Sequence, residues 1–172
     1  IEYDRKFNEA FRGKLSKEFI RGYEWKYICL YRKYQANKNT FWGKIFKYKL
    51  HKLENKTGIS FEYNTSVGKG LIIGHWGKIV INGETRFGNY FFITHGVTIG
   101  KREGVPTFGD RVCVRANSTI VGRVKIGNDV LIAPNTFVNF DVPDHSIVIG
   151  NPAKIIHRDN ATEGHIPLIY NS

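Results

Sequence analysis

The sequence predicts a mainly β fold, a three-sided parallel coil of hexapeptide repeats preceded by a small helical cap. Three observations carry this. After residue 58, large aliphatic or aromatic side chains recur every six residues. The residue after each is often glycine or another small one. Before residue 58 the apolar spacing is three and four, the period of a helix.

The helical part comes first. Phe7, Phe11, Leu15, Phe19, Tyr23, Tyr27, Tyr31 and Tyr34 fall on one helix face, with Gly13 and Gly22 as weak points. "NKNT" (37–40) reads as a loop with Thr40 as N-cap. A second helical pattern runs over 41–56, and Thr57-Gly58 should end it.

The coil follows. Its anchors are Phe61, Val67, Ile73, Ile79, Phe87, Ile93, Ile99, Phe108, Val114, Ile120, Ile126, Ile132 and Val138. A helix cannot hold a period of six on one face, and a lone strand alternates by two. Short strands joined by tight turns, each with an inward anchor, satisfy the pattern. Three hexads make one turn, so residues about eighteen apart stack ~4.8 Å from each other. Two gaps interrupt the count. The spacing assigns two extra residues to Ile79–Phe87 and three to Ile99–Phe108, the latter within the basic loop "GKREGVPT". The expected division is 1–58 helical cap, 59–157 coil and 158–172 C-terminal tail.

Composition limits the function classes. The formal net charge is +11, and residues 1–56 hold 15 Lys/Arg against 6 Asp/Glu. Cys29 and Cys113 match no metal or redox spacing and point to a reducing compartment, although a lone disulfide stays open. No apolar run approaches the ~18 residues of a membrane span, and no signal-peptide pattern opens the chain. A cytoplasmic location is expected. The histidines lack metal-ligand spacing, so no catalytic metal is expected.

"GHWGKIVI" (74–81), "HGVTIG" (95–100) and "DVPDHSIVIGNPAKII" (141–156) together resemble the serine acetyltransferase branch of the hexapeptide-repeat acyltransferases. The resemblance covers roughly 58–157. Its nearest pattern is the short type found with polysaccharide assembly. It implies a left-handed coil, a homotrimer with sites between subunits, and direct acyl transfer from acetyl-CoA to a hydroxyl. It assigns the catalytic histidine to His75. An alcohol is a poor nucleophile at neutral pH, and a positioned neutral imidazole can take its proton as the oxygen attacks a thioester, worth roughly 10²–10⁴-fold.

Two departures from the serine acetyltransferase pattern stand out. Gly74 occupies the place of an acidic residue before the histidine, and Val105 that of a second histidine. The usual acidic partner of the histidine falls near Ser60, which leaves Glu62, on the same strand face, as its candidate substitute. These departures argue against free serine, and the resemblance to the short polysaccharide type favours a sugar hydroxyl of a cell-surface polysaccharide or its precursor, a small-molecule or lipid-linked glycan, as acceptor. Serine, in cysteine synthesis, is the first alternative, and a non-catalytic scaffold the second.

Register adds further candidates. His75 and His95 both lie two residues after an anchor and should be stacked neighbours, followed by Ala116 and Pro134 on the next turns. His95, with Trp76 and Glu84, is a candidate acceptor contact; alternatively His95 keeps His75 unprotonated, since two adjacent imidazoliums repel, or it is mere turn polarity. Ala116 and Pro134 form a smooth track for a pantetheine arm. Gly100, Lys101 and Arg102 could meet coenzyme phosphates or simply be a solvated loop, and Lys154 could do the same or help close the last turn.

The basic cap has three readings. It can pack in an oligomer, lie at an anionic membrane surface in peripheral contact, or bind nucleic acid on charge alone. No nucleic-acid motif supports the last, so no such partner is expected.

Overall fold

The computed structural model describes residues 1–167. Four helices precede the coil: α1 (Glu2–Arg12), α2 (Lys17–Arg21), α3 (Tyr23–Ala36) and α4 (Phe41–Thr57). The pattern over 7–34 is therefore three helices. It breaks at Gly13, with φ 76°, and at Gly22, whose N–H donates to the Phe19 carbonyl. Thr40 caps α4 as expected, its hydroxyl accepting from the Gly43 N–H at 3.2 Å. Gly58 ends that helix in the left-handed region.

The strands form three sheets, each visited once per turn. The first holds Ile59–Phe61, Ile79–Ile81, Thr98–Gly100, Thr119–Val121 and Phe137–Val138. The second holds Ser66–Val67, Arg86–Phe87, Thr107–Phe108 and Lys125–Ile126. The third runs from Leu71–Ile73 through Phe91–Ile93, Val112–Val114 and Val130–Ile132 to Ser146–Gly150. Ala153–His157 then folds back antiparallel on Ser146–Gly150 and closes the sheet. All other pairings are parallel.

The register corrects one reading. Phe61 pairs with Ile81, not Ile79, and Ile81 with Ile99. Ile81 is therefore the interior anchor of the stack, six residues before Phe87. The two extra residues lie between Ile73 and Ile81, in the turn that carries His75. Both Ile79 and Ile81 are fully buried, so burial pattern alone could not choose between them. The three-residue insertion falls where expected, since Ile99 pairs with Ile120 and Phe87 with Phe108.

The interior is filled by the anchors, among them a stack of Phe87 on Phe108 at 4.6 Å between ring centroids. The glycine after an anchor has a steric cause. A Cβ on Gly88 would sit 2.5 Å from the Gly109 carbonyl oxygen of the next turn. The third sheet is unusual in being buried on both sides. Its outward residues Ile72, Phe92, Cys113 and Leu131 pack with Phe7 of α1 and Ile166 of the C-terminal segment. Burying each large side chain there contributes about 1.5–3 kcal/mol. Burial pushes the Cys113 thiol up to about 12, and both cysteines are free.

Polar anchors fix α1 to this sheet. Asp4 is buried, accepts from the Leu71 N–H at 2.8 Å and pairs with Arg32 at 2.8 Å. Arg32 also donates to the Val67 and Gly68 carbonyls. Asn8 donates to the Leu71 carbonyl, and Arg12 to those of Ile73 and Gly74, at 3.1 and 3.4 Å. The C-terminal segment is latched at Asp129, which accepts from the N–H groups of Ala161 and Thr162 and from the Thr162 hydroxyl. No described helix is long and apolar enough to cross a membrane.

Candidate functional site

The turns from the third sheet to the first form one edge of the coil. Residues two beyond each anchor line up there, so His75, His95, Ala116 and Pro134 share that edge. Backbone bonds tie the rungs together: the Asn117 N–H donates to the His95 carbonyl at 3.1 Å and the Asn135 N–H to the Ala116 carbonyl at 2.9 Å. The His75 and His95 rings stand 6.0 Å apart at 64°. Both are exposed. The Thr94 hydroxyl lies 3.2 Å from His95 Nδ1 and can fix its tautomer.

The lengthened turn after Ile73 explains why His75 projects. Lys78 and Gly77 adopt positive φ, 46° and 123°, and Gly77 accepts from the Gly96 N–H at 2.9 Å. The two additional residues bulge outward there. Trp76 goes with the bulge, 46% exposed, and meets Tyr23 of α3 edge-on at 5.5 Å.

A groove of about 240 Å³ runs along this edge. Phe11, Arg12, Gly74, His75, Phe92, Thr94, His95, Arg115, Ala116 and Pro134 line it. The four register-predicted residues are thus brought together. Arg12, Phe11, Phe92 and Arg115 are additions that the sequence reading missed. Arg115 was within reach of it, since it directly follows the anchor Val114, as Gly74 follows Ile73. Arg12 was hidden among the many cations of the helical region, because only the docking of α1 brings it here.

The other candidates lie elsewhere. Glu62 sits on the turn from the first sheet to the second, and its carboxylate accepts from the Gly83 N–H at 2.9 Å. Within the chain it therefore caps a turn and does not orient His75, because the two follow different sheets. Ser60 lines a separate depression of about 870 Å³ under α4, with His51, Glu54 and Lys78. Glu84 pairs with Lys101 at 3.0 Å on the first-to-second turns, away from the groove. Arg102 lines another surface hollow with Arg123 and Asn139. Gly100 ends its strand beside that loop. Lys154 lies on the closing hairpin opposite Ile149. One chain thus places the proposed pantetheine track and the basic loop on different edges.

Gly74 has a local cause. A Cβ there would sit 2.7 Å from Phe92 Cζ, so the aromatic ring fills the space a side chain would need. Among the described residues, no group of three or more His, Cys, Asp or Glu is placed to hold a metal ion.

Repeating parallel turns, a helical N-terminal region and an exposed histidine pair on one edge define a hexapeptide-repeat β-helix protein with a solvent-open groove. Its likenesses are to serine acetyltransferases. The chain is 38% identical over 108 residues to a serine acetyltransferase of Helicobacter pylori, covering 60% of this chain and 63% of that protein. Among solved structures, soybean serine acetyltransferase complexed with serine matches at TM-score 0.78 and 21% identity, over 90% of this chain and 67% of that one. A serine acetyltransferase in complex with CoA matches at TM-score 0.74 and 22% identity, over 90% and 68%. The chain spans less than two thirds of the length of the curated relatives it matches. No family model matches the chain. The resemblance read from the three motifs is thus found again in a sequence match over 60% of the chain, and the fold is the left-handed parallel β-helix that the resemblance implied.

Proposed function

We propose that the protein is an O-acetyltransferase that moves the acetyl group of acetyl-CoA directly to a hydroxyl, with His75 as general base. The observation that carries this is the exposed His75 ring over an open groove, paired with His95 at 6.0 Å. The CoA-bound structure with the same fold supports the donor. In the reaction the acceptor oxygen attacks the thioester carbonyl while His75 takes the hydroxyl proton. The tetrahedral intermediate then collapses, the C–S bond breaks, and the proton passes to the leaving thiolate. Ala116 and Pro134 offer a flat wall along which an extended donor arm can lie.

The acceptor with most support is L-serine, because the named relatives are serine acetyltransferases. The sugar acceptor favoured by the sequence reading has weaker support, resting on the absent acidic residue at Gly74 and the absent histidine at Val105. A homotrimer belongs to the same proposal. Exposed Val80, Ile149, Ile155 and Ile156 give the coil apolar surface for contact with further copies. The test is acetyl-CoA consumption with L-serine and with neutral sugars, for the wild type and His75→Ala. Loss of turnover in the variant supports the reading, and unchanged turnover removes it.

A further inference from the structure

We propose that the groove beside His75 recognises its acceptor through a carboxylate, held by Arg12 and Arg115, and that it makes no provision for an ammonium group. This rests on the transferase reading above and names the substrate class for it: hydroxylated carboxylic acids, whether small hydroxy acids or acidic sugars.

Two guanidiniums reach the groove from opposite parts of the chain, Arg12 from the end of α1 and Arg115 from the coil. Among the described residues, neither forms a salt bridge. Glu24 acts on Arg12 only at longer range. Burial draws the Arg12 pKa below its ordinary value, yet arginine stays charged at neutral pH. No carboxylate lines the groove among the described residues. A cationic groove of this kind favours an anion.

Both side chains are held before any ligand arrives. One Arg12 nitrogen donates to the Ile73 and Gly74 carbonyls, and its guanidinium lies 4.4 Å from the Phe19 ring centroid. Arg115 lies 5.4 Å from that of Phe92. A fixed planar fork loses little freedom when it binds a carboxylate and matches its two oxygens. Serine carries both a carboxylate and an ammonium. In this groove the ammonium would face two cations and two imidazoles. The residue that could have balanced it, immediately before His75, is glycine, and a side chain there would have to displace the Phe92 ring.

The test uses the full chain and four probes. L-glycerate keeps serine's hydroxyl and carboxylate without the ammonium; ethanolamine keeps the hydroxyl and ammonium without the carboxylate; glycerol has neither charge. Binding is measured by titration calorimetry, and acetyl transfer by release of free thiol. L-glycerate should bind at least as tightly as L-serine, and about tenfold or more tighter than ethanolamine or glycerol. Arg115→Gln should reduce that preference about tenfold, and Arg12→Gln similarly. Among the described residues Arg115 makes no side-chain bond to the third sheet's carbonyls, although it lies beside Cys113, so its variant reads the site even if loss of Arg12 loosens α1; a thermal melt reports the fold of each. Ethanolamine binding as well as L-glycerate, or a folded Arg115→Gln with unaltered L-glycerate affinity, overturns the proposal. Arginine-dependent glycerate binding without any acetyl transfer would uphold the anion site while removing the transferase reading. Equal transfer to all probes would do the reverse.

Discussion

The His75 and His95 rings stand 6.0 Å apart on successive turns, at the ends of strands offset by 20 residues. His75 is free to act as base, whereas Nδ1 of His95 already faces the Thr94 hydroxyl at 3.2 Å. The remaining nitrogen of His95 can serve the acceptor. His95→Ala should raise the acceptor KM about three- to tenfold, the loss of one hydrogen bond, with a smaller effect on kcat. Steady-state kinetics with varied acceptor checks this, and an unchanged KM takes His95 out of the acceptor site.

Gly74 and Phe92 should prove coupled. Gly74→Asp forces a Cβ to 2.7 Å from the Phe92 ring and should cost about 1–3 kcal/mol. Phe92→Ala is itself costly, because Phe92 belongs to the cluster under α1. The double variant should lose less than the sum of the two single losses. Urea unfolding of the four proteins measures this cycle, and strict additivity would mean that the ring does not exclude the side chain.

Asp4 should dominate the attachment of α1. Its side chain is nearly inaccessible and its partner Arg32 largely so. Asp4→Asn leaves a buried guanidinium without its counter-charge and should destabilise by about 3 kcal/mol. Chemical denaturation at pH 7 checks the size, and a loss below half that value would show that the backbone carbonyls alone hold Arg32.

Acid should weaken the molecule at two fixed points. Burial alone would raise the Asp4 and Asp129 carboxyls, but their bonds outweigh it. Arg32 holds Asp4 below the ordinary aspartate value of 3.8. Thr162, His145 and the amides of 161–162 hold Asp129 below it. A depressed folded-state pKa stabilises at and above the unfolded value, and that contribution is lost as pH falls through the lower folded value. Stability should therefore decline below about pH 4 from these two groups, with little change from them between about pH 5 and 7. Asp129→Asn should remove part of that slope and speed hydrogen exchange at the Ala161 and Thr162 amides. An unchanged slope would mean that other carboxylates govern acid unfolding.

The repeating coil was legible because a close-packed interior admits one large anchor per strand and a backbone-to-backbone approach admits only a small residue beside it. Gly88 shows the second constraint and the Phe87–Phe108 stack the first. The misplaced insertion shows the limit. Ile79 and Ile81 are both buried and both β-branched, and only strand pairing reveals which one continues the stack. The single long helical pattern failed at Gly13 and Gly22 because apolar spacing persisted across backbone breaks. The His75 edge could be found by counting, since its members share one register. Arg12 could not, because it enters the groove through tertiary docking of α1. Glu62 shows a related limit: proximity along the repeat put it near the usual partner position, while within the chain its carboxylate accepts from the Gly83 amide.

The most direct measurement is the rate of thiol release from acetyl-CoA in the presence of L-serine or L-glycerate, compared between the wild type and a folded His75→Ala variant. A fall of roughly 10²–10⁴-fold in kcat, with coenzyme binding retained, is the predicted result. A variant that turns over like the wild type would contradict His75 as the base and, with it, the account of this groove.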